Sequence, residues 1–296
     1  MNYGVIDLGS NSLRLEIFSY DGKNLKNIFS KREVVGLASY LLPEGYLSDL
    51  GIDSAIRVVK DFLEYGQSYE LEKMYVIATA TIREARNQNE ILTRIKRASG
   101  LTVELLDEDK EGLYGYKGVA IEHKIDKGLI IDIGGGSTEI SLISGGKLKD
   151  SASLSLGSLN TYISYVKEIF PTKNEMERIS GAVIGALKQH KVEQIDIKDA
   201  YGIGGTINAA HVLLSNFYQK RFTSLTKHNI KDLIGKIDPT KKKTYLSIIR
   251  MIPERIHTIM PGLVILDTLM TYFNVEQIKV SKYGIREGYL LEQIQK

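Results

Sequence analysis

The sequence predicts an α/β chain made of two copies of one unit, and three observations carry that reading. Strand-like and helix-like runs alternate along its length. Two segments share one plan: "DLGSNSLRLEIFSYDG" (Asp7 to Gly22) and "DIGGGSTEISLISGG" (Asp132 to Gly146) each begin with an aspartate ending an apolar run, turn through glycine and serine, re-enter a strand and close on a second turn. The length of 296 residues suits two domains. Ligands of open α/β sheets lie beyond the carboxyl ends of the strands, where both acids would point, so the duplication predicts a cleft with one copy on each side.

Taken in order, "YGVID" alternates as a strand, Gly9 to Ser12 turn, "LRLEIFS" is a second strand, and Asp21-Gly22 signals a hairpin into a third. Asp53 is placed to cap a helix whose Ile56, Val59 and Leu63 share a face and which ends near Gly66. "MYVIATA" (Met74 to Ala80) reads as a buried strand, Asn89 to Ser99 as a helix stopped by Gly100, "TVELL" as a strand and Glu108 to Val119 as a helix. The break between halves falls near His123 to Lys127, giving domains 1–124 and 125–296. The second half restarts with "GLIIDIGGG", "TEISLIS", the Gly145-Gly146 turn and "KLKDSASL". Ser158 to Phe170 looks helical up to Pro171, and Thr172 with Glu175 has the spacing of a capping box. "DAYGIGGTINAAHVLL" is a strand, a glycine turn and a helix; Thr226 caps another helix, Ile278 to Ser281 is a short strand, and Ile285 to Gln295 is the last helix.

Composition narrows the function classes. Hydrophobic residues are 43% and charged residues 25%, as in ordinary globular proteins. No apolar stretch is long enough to span a bilayer and no secretory leader is evident, so a cytoplasmic protein with no membrane partner is expected. Zero cysteines exclude disulfides, cysteine-ligated metals and thiol catalysis. The five histidines lack metal-ligand spacing, which argues against zinc. A net charge of +3 is too small to predict specific nucleic-acid binding. The densest basic runs, Gln219 to Arg221 and Lys241 to Lys243, read as solvated surface.

The chemistry concentrates in small-residue turns. Gly134, Gly135 and Gly136 allow backbone amides to converge on one point, and Ser137 and Thr138 add hydroxyls. Gly204-Gly205-Thr206 repeats the device between a strand and a helix whose N-terminus favours an anion. Phosphate oxygens are the natural partner. Asp7 and Asp132 at strand ends, with Glu139 one strand further on, are candidate ligands or water-mediated ligands of magnesium, which takes hard oxygen donors and pairs with phosphate chains. The alternative for each aspartate is a bond to its own turn amides.

Five ordered segments, "DLGSNS", "ATATIREARN", "DIGGGSTE", "GIGGTINAAH" and "YGIREG", resemble the signature segments of the exopolyphosphatase and guanosine pentaphosphatase family, within the actin-like, sugar-kinase and heat-shock-chaperone ATPase superfamily. The resemblance spans nearly the whole chain. It implies two ribonuclease-H-like domains around an interdomain cleft, and magnesium-dependent release of terminal orthophosphate from inorganic polyphosphate or guanosine pentaphosphate. It implies Glu111 as the general base, with Glu108 as the fallback, and Arg83 as the phosphate-binding arginine. Ser10 and Asn11 of the first turn are expected to touch phosphate, and Arg14 to brace the site. The chain departs from the family pattern beside the base, where Lys110 replaces a common acid and Gly112-Leu113 the usual Ala-Arg.

Other expectations follow from the same reading. His211 is a packing residue, and at most one of Tyr114 and Tyr116 faces the cleft. Longer family members extend the substrate channel with a helical C-terminal region for which this chain has no room, so processivity on long chains is doubtful; a homodimer would lengthen the channel. Two other readings keep the fold: a kinase using ATP, or a polyphosphate or alarmone sensor without catalysis.

Overall fold

The computed structural model describes residues 1–195, 197, 199–238 and 241–295. Two units are distinguished: Met1–Glu111 together with Leu290–Lys296, and Gly112–Tyr289.

In the first unit, β1 (Asn2–Leu8), β2 (Ser12–Tyr20) and β3 (Leu25–Val34) form an antiparallel meander, while β4 (Leu71–Ala78) and β5 (Val103–Leu105) extend the sheet in parallel. The strand order is β3-β2-β1-β4-β5. Ile6, Leu8, Leu13, Leu15 and Ile17 pack with residues of α1 (Asp49–Gln67) and α3 (Gln88–Ser99), the short α2 (Ala80–Glu84) lying between β4 and α3. The helix expected from Asp53 starts a turn earlier. Ser48 is its cap, accepting from the Gly51 amide at 3.4 Å, and Asp53 instead pairs with Arg94 at 2.7 Å. Its inward face is Ile52, Ala55, Val58, Val59 and Phe62, which leaves Ile56 and Leu63 only half-buried. The strand expected to reach Ala80 ends at Ala78; Thr79 is extended, and "ATIRE" turns helical with Ala80, Thr81 and Ile82 buried.

Helix α4 (Glu108–Glu122) follows β5 and leads into the second unit. There β6 (Lys127–Ile133), β7 (Thr138–Ser144) and β8 (Lys147–Leu154) repeat the meander. Helices α5 (Ser158–Tyr165) and α6 (Lys173–Gln189) come next, then β9 (Asp199–Ile203), α7 (Gly204–Tyr218), β10 (Ser224–Thr226), α8 (Lys227–Lys236), α9 (Lys242–Met251), α10 (Ile259–Tyr272), β11 (Gln277–Val280) and α11 (Ile285–Ile294). The sheet order is β10-β11-β9-β6-β7-β8.

The helix expected over Ser158 to Phe170 stops at Tyr165. Val166 turns extended, and the Lys167 amide is taken by Glu175, the acid of the Thr172 capping box. That carboxyl is held below the usual range chiefly by the Thr172 amide. Helix α10 is buried on nearly every side, so it carries no amphipathic period by which to be recognised. Among the described residues no helix is long and apolar enough to cross a membrane.

The duplication holds at the level of strand pairing. β1 pairs antiparallel with β2 and parallel with β4; β6 pairs antiparallel with β7 and parallel with β9. Each aspartate is the next-to-last residue of its strand. Asp7 lies opposite Ile77 of β4, and Asp132 opposite Ile203 of β9. The turn carrying Arg83 after β4 is thereby the positional counterpart of Gly204-Gly205-Thr206 after β9.

Candidate active site

In the first unit the turn after β1 is pinned from behind. The Ser10 and Asn11 carbonyls accept from the Ala38 and Gly36 amides at 3.1 and 2.8 Å, and both residues are buried. The side-chain nitrogen of Asn11 is buried without a protein partner. Arg14 sits directly across from Asp7 in the β1–β2 ladder and bonds Glu16 at 3.5 Å, a bracing position.

Arg83 and Glu111 are joined in a buried ion pair, the carboxylate 2% and the guanidinium 14% exposed. Nη1 of Arg83 also donates to the Leu106 carbonyl at 3.1 Å, whereas Nη2 is buried and has no protein partner. A guanidinium offers five donors in a rigid fork, and this one keeps part of the fork in reserve. Glu108 is exposed, at the start of the same helix. Lys110 reaches Glu104 at 3.2 Å. Arg86 lies along Gly45, and Glu90 pairs with Arg94 at 3.3 Å.

In the second unit both glycine turns border Asp132. Gly204 has φ +85°, a left-handed conformation that favours glycine, and a Cβ there would lie 2.1 Å from Asp132 Oδ1. The triple-glycine turn is held through its carbonyls. Ser158, Leu159 and Asn160 amides donate to the Gly134 and Gly135 carbonyls and the Gly157 amide to Gly136, so the start of α5 occupies the carbonyls of Gly134 to Gly136, while the Gly134 amide closes the turn on the Ser137 carbonyl at 3.0 Å. Gly157 approaches so closely that a Cβ would meet Gly135 at 2.4 Å. Thr206 is fully enclosed, with its hydroxyl unpartnered. Glu139 is buried and accepts from Ser153 Oγ at 3.0 Å.

Among the described residues no group of three or more acidic or histidine side chains is gathered as a metal cage. Magnesium commonly takes only one or two carboxylates from protein and fills its other positions with water and phosphate, so such a cage is not required of it.

Two site residues escaped the sequence. Asn160 clasps the triple-glycine turn: its Nδ2 donates to Gly136 and Ser155 carbonyls and its Oδ1 accepts from the Gly157 amide at 2.7 Å. The buried Arg255 places its guanidinium against Gly205, 1.8 Å from where a Cβ would stand. An asparagine at the third position of a helix is a readable capping signal; nothing local marks the arginine. Tyr114 packs edge-on against Tyr289, Tyr116 donates to the Gly146 carbonyl at 2.5 Å, and His211 Nε2 lies 2.6 Å from the Phe222 carbonyl oxygen.

Residues 17–296 match the model of the Ppx/GppA phosphatase family. A guanosine-5'-triphosphate,3'-diphosphate pyrophosphatase of Photobacterium profundum is 26% identical over 99% of the chain, which spans 59% of that relative's length. A Haemophilus influenzae protein provisionally named an exopolyphosphatase is 25% identical over 97% of the chain and 90% of its own. The crystal structure of the Aquifex aeolicus Ppx/GppA family member superimposes with a TM-score of 0.81 at 28% identity, covering 100% of this chain and 98% of that one. With an acid at the tip of each duplicated sheet and a family-model match that runs from Ile17 in β2 through α11, over residues 17–296, this protein belongs to the Ppx/GppA phosphatase family.

Proposed function

We propose that the protein is a phosphoanhydride hydrolase that releases terminal orthophosphate from inorganic polyphosphate or guanosine pentaphosphate, with Glu111 as general base. The observation that carries the reading is the buried Glu111–Arg83 pair with its uncommitted Nη2. In the resting pair the arginine holds the carboxylate. A phosphate that engages Nη2 competes for the guanidinium, which loosens its hold on Glu111. The freed carboxylate orients a water and takes its proton, and the arginine offsets the charge that develops on the phosphoryl oxygens. In the first unit Ser10 and Asn11, and in the second unit the Gly134–Ser137 turn and Gly204-Gly205-Thr206, are the groups suited to phosphate. Asp132, Glu139 and, in the first unit, Asp7 suit magnesium, which when bound would neutralise phosphate charge. The relatives' names supply the substrate classes.

The test is orthophosphate release, with magnesium, from long polyphosphate, tripolyphosphate, guanosine pentaphosphate and ATP. Release from one of the first three without an added acceptor is expected. No release from any of them, or ATP consumption that depends on an added alcohol or carboxylate, would overturn the reading. Asn160→Ala removes the clasp on the triple-glycine turn. Losing two or three hydrogen bonds of about 1 kcal/mol each should raise KM about tenfold or more while kcat falls less. Equal KM in the variant and the parent would show that α5's backbone alone holds the turn.

A further inference from the structure

The basic run Lys241 to Lys243 lies outside the residues assigned to the phosphate site, and the structure puts it at the start of an amphipathic helix with an unusual outer face. Of α9, Thr244 and Ile248 are buried, Met251 is partly buried, and Tyr245 packs on Phe170 at 4.9 Å. At 100° per residue the exposed residues form one continuous arc in the order Ile249, Lys242, Leu246, Arg250, Lys243. Leu246 and Ile249 are 42% and 46% exposed, so one branched aliphatic stands in water between Lys242 and Arg250 and a second beside Lys242 at the edge of the same arc. The helix contains no acidic residue. Lys241 just before it is 71% exposed and its pairing with Asp238 at 3.0 Å is a surface contact.

We propose that this outer face of α9 docks reversibly on an anionic lipid surface. Cations flanking exposed aliphatics on a single outward helix face are the signature of an interfacial helix, the aliphatics entering the headgroup boundary while the lysine and arginine stems extend to the phosphates. A free polyanion would use the cations but has no partner for Leu246 and Ile249. The expectation of no membrane partner drawn from the sequence concerned spanning segments, and a surface-lying helix of this kind is compatible with their absence. The docking does not rest on the proposed hydrolase activity.

The test is co-sedimentation of the whole protein with phosphatidylserine–phosphatidylcholine vesicles and with phosphatidylcholine vesicles alone. Binding to the first and not the second is expected, weakening as salt is raised. Reversing three charges in Lys242→Glu/Lys243→Glu/Arg250→Glu should lower partitioning more than a hundredfold, at about fivefold for each cation removed. Leu246→Ser/Ile249→Ser should lower it about tenfold. Both variants should keep the parent's circular dichroism. No sedimentation with anionic vesicles, or sedimentation that neither variant alters, would overturn the proposal. So would loss in the charge variant alone together with displacement by long polyphosphate, which would make the face a polyanion site, or retention of an acidic amphipathic peptide in place of vesicles.

Discussion

Glu111→Gln will lower kcat for orthophosphate release by about 10²- to 10⁴-fold, the range lost when a positioned general base is removed. Glutamine is the informative replacement because of the partner. Glu111 is 2% exposed and Arg83 14%, so alanine would leave a buried guanidinium without its counter-charge, a defect worth about 3–5 kcal/mol of stability. An activity lost in Glu111→Ala therefore confounds chemistry with folding. Glutamine preserves the side-chain length and an oxygen that can still accept from Nη1, while it cannot take a proton from water. A thermal melt beside the steady-state rates separates the two effects: the expected result is a large fall in kcat with a smaller loss of stability than in Glu111→Ala. Full kcat in Glu111→Gln on the best substrate would remove Glu111 as the base and return attention to Glu108, which is exposed and three residues earlier on the same helix.

What could be read in advance depended on whether the information was local. Asp7 and Asp132 were legible because a turn after a strand demands small residues at fixed offsets, and the same demand was met twice. Glu111 and Arg83 were legible only through family resemblance, since neither a lone glutamate at a helix start nor a lone arginine advertises burial. Their pairing is a tertiary fact that joins α2 to α4. Asp53 shows the opposite error, because it satisfies the cap preference yet loses the role to Ser48 once Arg94 offers it an ion pair. Arg255 and α10 were invisible for a related reason. Burial on all sides erases the periodicity that would reveal a helix, and an arginine buried against the Gly205 backbone leaves no trace in its neighbours along the chain.

The crossing of α4 and α11 permits the largest structural prediction. Gly288→Ala would put a Cβ 2.0 Å from the Tyr114 carbonyl oxygen and 2.8 Å from the Gly118 nitrogen, and Gly118→Ala would put one 2.0 Å from the Gly284 oxygen. These are backbone atoms on both sides, so no side chain can rotate to make room; the helices must separate, and the edge-on contact of Tyr114 with Tyr289 loosens with them. Overpacking of this kind costs about 1–3 kcal/mol or more, against about 1 kcal/mol that alanine gains over glycine in a helix. Gly112→Ala, on the same helix, is the control. Its Cβ would stand 3.0 Å from Ser151 Cβ and 3.1 Å from Ser141 Oγ, side-chain atoms that can yield by a few tenths of an ångström. Urea denaturation should show the midpoint falling clearly for Gly288→Ala and Gly118→Ala and staying within about 1 kcal/mol of the parent for Gly112→Ala. If all three behaved alike, the contact between these helices would be softer than backbone against backbone, and the glycines of "YGIREG" would need another explanation. If they separate as expected, the departure at Gly112 beside the proposed base is a tolerated variation, whereas Gly118 and Gly288 are required by the crossing itself.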